Sequence, residues 1–131
     1  MKIGELAQQT GVSVATLRFY ENQGLIQSSR GTGRYRYFTE SAVADVHRIR
    51  NYRALDLSLP EIRKLLGWTD TPQEKCGEVC ALMQTQLQRV REQKQILEQL
   101  ESELARWVEI CPGAPGSTCQ ILAQSSRPKS P

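Results

Sequence analysis

Residues 3–38, IGELAQQTGVSVATLRFYENQGLIQSSRGTGRYRYF, decide the fold of this 131-residue chain. Ile3, Leu6 and Ala7 recur at helical spacing, and Gly11 breaks the pattern. Ser13 then caps a second helix that runs through Ala15, Leu17 and Tyr20 and ends near Gln23-Gly24. Two short helices joined by a tight glycine-containing turn form a helix-turn-helix. Beyond them, Leu25-Ile26 and Tyr35 to Phe38 predict two strands around a flexible Ser28 to Gly33 turn, a hairpin wing.

Charge follows the same segment. Residues 1–70 hold ten Lys/Arg against seven Asp/Glu, whereas residues 71–131 hold seven of each, so the whole net charge of +3 lies in the first part. Residues 22–39 carry Arg30, Arg34 and Arg36 with no acid, interleaved with Tyr35 and Tyr37. Such a strand suits a phosphate backbone and a groove edge, its plainer reading being a solvated hairpin.

Downstream, Val43, Val46, Ile49 and Tyr52 mark one face of a third helix from Thr39 to about Leu55. Ser58 and Glu61 form a capping box around Pro60, opening a fourth helix to about Trp68. Asp70-Thr71-Pro72 is the predicted break. From Lys75 to Ile110 there is no proline, and Cys76, Met83, Val90, Leu97, Leu104 and Cys111 fall seven apart, with Val79, Leu100 and Trp107 at d-type positions. A heptad register of that length predicts a helix of roughly 50 Å paired with another helix, hence a homodimer.

Within one straight helix Cys76 and Cys111 are too far apart to share an ion. In an antiparallel two-fold pair, residues meet when their numbers total a constant. The total 187 joins Cys76 with Cys111, Met83 with Leu104 and Val90 with Leu97, so one register stacks every a-type layer and creates two equivalent mixed sites. Cys119, after the loop Pro112 to Thr118, supplies a third thiolate if that loop folds back, a donor set for a soft ion. Cys80 is a candidate fourth ligand whose plainer reading is a small residue at the helix interface. A Cys111–Cys119 disulfide is disfavoured in a reducing compartment.

The domain plan is therefore a DNA-binding domain over 1–70, a dimerisation helix over 71–110, a metal-binding loop and short helix over 111–123, and a disordered tail over 124–131. The single histidine, His47, falls in the third helix without a ligand role, and neither a P-loop nor a G-x-G-x-x-G occurs, so no catalytic residues and no enzyme are expected. No apolar run reaches the ~20 residues of a membrane span. The opening residues Met1 to Leu6 lack the apolar length of a signal peptide, so a cytoplasmic location is expected.

Ile3 to Ala7, Thr16-Leu17-Arg18-Phe19-Tyr20-Glu21, Gly24-Leu25-Ile26, Arg34 to Phe38 and the long helix ending in Cys-Pro-Gly together resemble the MerR family of transcriptional regulators, over residues 1 to about 123. The resemblance implies a mainly α, winged helix-turn-helix dimer with an antiparallel coiled-coil helix. It further implies a promoter operator with an overlong spacer, distorted on metal binding so that RNA polymerase reads both promoter elements. Cys76 is typical of the family's sensors of divalent thiophilic ions. The stretches Arg53 to Leu59 and Cys76 to Val79 look most like the lead- and cadmium-responsive subgroup, so Pb(II) or Cd(II) is expected, with Zn(II) or Hg(II) as further candidates. Arg18, Tyr20, Arg34, Tyr35 and Arg36 are then expected at phosphates, and Ala15 and Thr16 near bases. Cys76, Cys111 and Cys119, with Cys80 as the additional candidate, are expected at the metal. The competing readings are a thiolate metal buffer without promoter control and a monovalent copper sensor of the same family.

Overall fold

The computed structural model describes residues 1–30 and 35–125. The elements in chain order are α1 (Ile3–Thr10), α2 (Val14–Asn22), β1 (Ser29–Arg30), β2 (Arg36–Tyr37), α3 (Ser41–Ala54), α4 (Leu59–Gly67), α5 (Pro72–Ile110) and α6 (Gln120–Ser125). The chain divides into two compact units, Met1–Gln84 and Thr85–Pro131.

Local chemistry sets the boundaries of the first unit. Gly11 ends α1 in the left-handed region (φ 72°), a conformation that costs an L side chain about 1 kcal/mol or more, and its N–H donates to the Ala7 carbonyl at 2.9 Å. The Ser13 hydroxyl accepts from the Thr16 N–H at 3.2 Å, capping α2. At α4 both halves of the predicted capping box are present, Glu61 N–H to Ser58 Oγ at 3.3 Å and Ser58 N–H to Glu61 Oε1 at 3.1 Å. These caps fix where α1, α2 and α4 begin and end, which sets which faces turn inward. Leu6, Leu17, Val46, Ile49, Leu57 and Ile62 are fully buried, and Tyr20, Leu25, Ile26, Phe38, Ala42 and Leu65 complete the core. Truncating Leu6 or Leu17 to Ala would cost roughly 2–5 kcal/mol.

Four expectations change. Leu25-Ile26 is not a strand: both side chains are buried plugs in the turn after α2, and the first strand is Ser29–Arg30. The wing is short, with Ser29 opposite Tyr37 and Arg30 opposite Arg36 in an antiparallel pair. Pro72 starts α5 rather than preceding it, because a missing N–H is harmless in the first turn, and Lys75 N–H bonds the Thr71 carbonyl at 3.1 Å. Gln124 and Ser125, assigned to the tail, belong to α6, while the rest of the tail, 126–131, lies outside the described residues.

The helix α5 runs through 39 residues. In the first unit, Val79, Leu82 and Met83 pack against the core described above. In the second unit, Val90, Leu97, Leu100 and Leu104 are exposed, as are Leu87, Ile96 and Val108 beside them. The apolar stripe is therefore wider than the two heptad positions read from spacing. Among the described residues no helix is long and apolar enough to cross a membrane.

Candidate functional site

Of the basic residues in the first unit, three are structural. Arg50 Nη1 donates to the Thr10 carbonyl at the end of α1 (2.7 Å), and Arg63 donates through Nε and Nη2 to the Gln23 carbonyl that closes α2 (3.2 and 2.7 Å). Arg53 holds the Leu57 carbonyl at 3.0 Å. The Thr10 and Gln23 carbonyls are ones that helix ends leave orphaned, and Leu57 lies in the turn between α3 and α4. Arg48 is paired with Asp45 on its own helix at 3.2 Å.

Lys75 is likewise paired with Glu78 at 3.4 Å, so among the described lysines and arginines of this unit Lys2, Arg18, Arg30, Arg36 and Lys64 remain, all exposed. A groove between α1, α2 and β2 is lined by Lys2, Ile3, Arg18, Glu21, Tyr35 and Arg36, among others. Among the described residues the Arg18 guanidinium has no hydrogen-bond or ion-pair partner, so its five donors are available. Lys2 Nζ sits over the Tyr35 ring, 4.0 Å from its centre, which holds the exposed tyrosine beside the groove. Arg30 and Arg36 face each other across the hairpin, a like-charge pair that opposes strand pairing unless anions compensate it. Glu21 partly does so, accepting from Arg36 Nη1 at 2.9 Å and from the Ser28 hydroxyl. Within α2 the exposed start carries Ala15, with Thr16 half-buried beside it and its hydroxyl accepting from Ser13 at 2.9 Å. An exposed helix N-terminus adds a partial positive charge to this face.

The structure thus gathers Lys2, Arg18, Tyr35 and Arg36 on one groove, with Ala15 and Thr16 at the start of the same helix that carries Arg18. Tyr20 is placed differently: its ring belongs to the core, with 9% exposure, so only its margin reaches the surface. Arg34 lies outside the described residues. Sequence reasoning did not place Lys2 or Glu21 at this face. Glu21 had a signal, being the last acid before the three arginines of residues 22–39.

The thiols occupy both units. Cys76 and Cys80 are exposed, one helical turn apart near the start of α5. Cys111 is exposed directly after α5, and Cys119 is half-buried directly before α6, its carbonyl accepting from Ala123 N–H at 3.0 Å. Between these two, Gly113 and Gly116 take positive φ (65° and 83°), which lets the loop reverse. All four cysteines are free, and among the described residues no three His, Cys, Asp or Glu side chains converge in one chain. Near the end of α5, Glu103 accepts from the Trp107 indole N–H at 2.8 Å and pairs with Arg106, and these contacts hold its carboxyl below the usual range.

Residues 1–67 match the family described as MerR HTH family regulatory protein, and residues 43–107 match that described as MerR, DNA binding. A probable heavy metal-dependent transcriptional regulator of Haemophilus influenzae is 33% identical over 123 residues, covering 93% of this chain and 96% of its own length. Among solved structures, the lead(II) complex of the transcription regulator PbrR691 from Ralstonia metallidurans aligns with a TM-score of 0.85 and 38% identity, covering 95% of this chain and 98% of that one. A mercury(II) complex of the dual function transcriptional regulator MerR from Bacillus megaterium aligns with a TM-score of 0.70 and 30% identity, over 97% and 100% of the two chains.

Proposed function

Because this chain belongs to the MerR family of helix-turn-helix regulatory proteins, and is accordingly a regulator rather than an enzyme, we propose that it is a metal-responsive transcription regulator acting on promoter DNA as a homodimer. The observation that carries this reading is the pairing of two features, a groove with unpaired or outward-facing basic side chains and a set of free thiols at the ends of an exposed apolar helix face. A thiolate buffer has a use for the second and none for the first.

The dimer is proposed to form through α5 in the antiparallel register that joins residues totalling 187. Exposure supports this register: Leu87 would meet Leu100, and Val90 would meet Leu97, all four being exposed in the single chain. The same register brings Cys76 of one protomer to Cys111 of the other, and Cys119 completes the set if the loop over 112–118 folds back over the helix end. A set of three free sulfur donors fits a soft divalent ion. We assign Pb(II) or Cd(II), with Zn(II) and Hg(II) as alternatives, and lead(II) and mercury(II) are the ions held by the two structural relatives. A bound ion would cross-link thiolates of two protomers and so favour one dimer conformation over another.

On the DNA side, Arg18 and Arg36 are proposed to contact phosphates with Tyr35, and the start of α2 to approach base edges through Ala15 and Thr16. A dimer that changes conformation while held to both half-sites bends or untwists the intervening duplex, and RNA polymerase reads the result. The domain division proposed for these tasks is 1–70 for DNA, 71–110 for dimerisation and 111–123 for the metal loop.

A heterodimer tests the site. One subunit type carries Cys76→Ser and the other Cys111→Ser. If each site mixes chains, one site lacks both mutated thiols and the other lacks neither, so one full-affinity ion binds per dimer. If each site uses thiols of a single chain, no full-affinity site remains, and the proposal fails.

A further inference from the structure

Glu21 stands out as an acid on the face that the preceding reading gives to a polyanion. Its side chain is only 15% exposed, whereas that of its partner Arg36 is 53% exposed. Both carboxylate oxygens are engaged, Oε1 by Arg36 Nη1 at 2.9 Å and Oε2 by the Ser28 hydroxyl. Ser28 directly precedes β1 and Arg36 opens β2, so one side chain of α2 ties both arms of the hairpin to the helix. The hairpin needs such a tie. Strands of two residues are marginal alone, and this pair sets Arg30 against Arg36.

We infer that Glu21 is a positioning residue for DNA binding, anchoring the wing on α2 and aiming the Arg36 guanidinium group outward. The inference rests on the DNA-binding reading given above. A guanidinium has five donors, so the group held by Glu21 through Nη1 keeps others for a phosphate, in a fixed orientation. The like-charge cost across the hairpin falls because the carboxylate lies against one member of the pair. Where plain Coulomb reasoning says that an acid at this face repels DNA, the anchor says that removing it weakens binding.

The two views predict opposite signs for Glu21→Gln, measured on a duplex carrying the promoter region upstream of the protein's own coding sequence. The anchor predicts about tenfold weaker binding, the scale of one lost arginine contact. In an Arg36→Ala background the same change loses most of its penalty, because the Arg36 tie is already gone and only the Ser28 tie is left to weaken. Ser28→Ala, which leaves the charge untouched, weakens binding in the same direction by a smaller factor, and it serves if Glu21→Gln lowers the thermal midpoint. Amide exchange at residues 29, 30, 36 and 37 in the free protein gives a readout independent of DNA, and it should accelerate in both variants. Unchanged exchange, or tighter binding by Glu21→Gln in the otherwise native chain, overturns the anchor. Accelerated exchange in a protein that binds no promoter DNA would leave the anchor standing as a wing support and defeat both its positioning role and the DNA-binding reading.

Discussion

Replacing Arg18, Arg36 and Arg50 by Ala, one at a time, separates the arginines proposed to meet phosphate from those that brace the fold. Each phosphate contact contributes about 0.9 to the slope of log affinity against log salt. A dimer presents each side chain twice, so Arg36→Ala or Arg18→Ala should reduce the slope by about 1.8. Between 50 and 200 mM salt, a fourfold change, that amounts to an affinity loss about twelve times smaller than in the unmodified protein. Arg50 carries the same charge but spends it on the Thr10 carbonyl at 2.7 Å. Its removal should leave the slope unchanged and cost about 1 kcal/mol of stability, since a charged donor to a partly buried carbonyl is lost. In a domain of this size that lowers the thermal midpoint by roughly 4–8 °C. The assay is electrophoretic shift or fluorescence anisotropy at several salt concentrations, beside a thermal melt of each variant. Equal slopes for all four proteins, or a slope that falls as much in Arg50→Ala as in Arg18→Ala, would refute the division of the arginines.

Cys80→Ser should shift metal preference modestly and keep the transcriptional response, whereas loss of response in a promoter-reporter assay would make Cys80 an obligatory ligand. Asp56 adopts φ 62° in the turn between α3 and α4, so Asp56→Ala should destabilise the protein by about 1 kcal/mol or more in urea unfolding, and Asp56→Asn, which tolerates that region, should lose less. The Glu103 carboxyl is held below the ordinary range first by Trp107 and then by Arg106, so its stabilising contact is present above the pKa of an unfolded glutamate and is lost as pH falls through the lower folded value. Trp107 emission, recorded in a Trp68→Phe background, should therefore titrate with a midpoint below that of a free glutamate, and Glu103→Gln should abolish the step.

What the sequence made legible was local. Gly11, Ser13 and the Ser58–Glu61 box act within four residues of themselves, and each sits where spacing put it. The misread elements are those whose state depends on distant chain. Leu25-Ile26 looks like a strand start because two apolar residues have no measurable period, and burial in the turn after α2 decides their conformation. Arg50 and Arg63 each reach a carbonyl 40 residues away, which no local charge count can separate from an arginine facing DNA. The same holds for the groove, since Lys2 and Tyr35 are joined only by the fold.

The heptads make this limit concrete. Met83, Val90, Leu97 and Leu104 share one position type, and the spacing treats them alike. Met83 is partly covered by the core of its own unit, together with Val79 and Leu82, whereas Val90, Leu97 and Leu104 are exposed at 41%, 65% and 65%. A heptad letter states which residues share a face; it does not state what that face touches. Burying a leucine contributes roughly 1.5–3 kcal/mol, so the exposed run leaves a driving force for helix pairing that Met83 has already spent in part inside its own domain. In a dimer of the proposed register, the Met83–Leu104 layer would therefore add less to association than Val90–Leu97, and the strength of pairing would rest on the middle of α5 rather than on the ends where the cysteines lie.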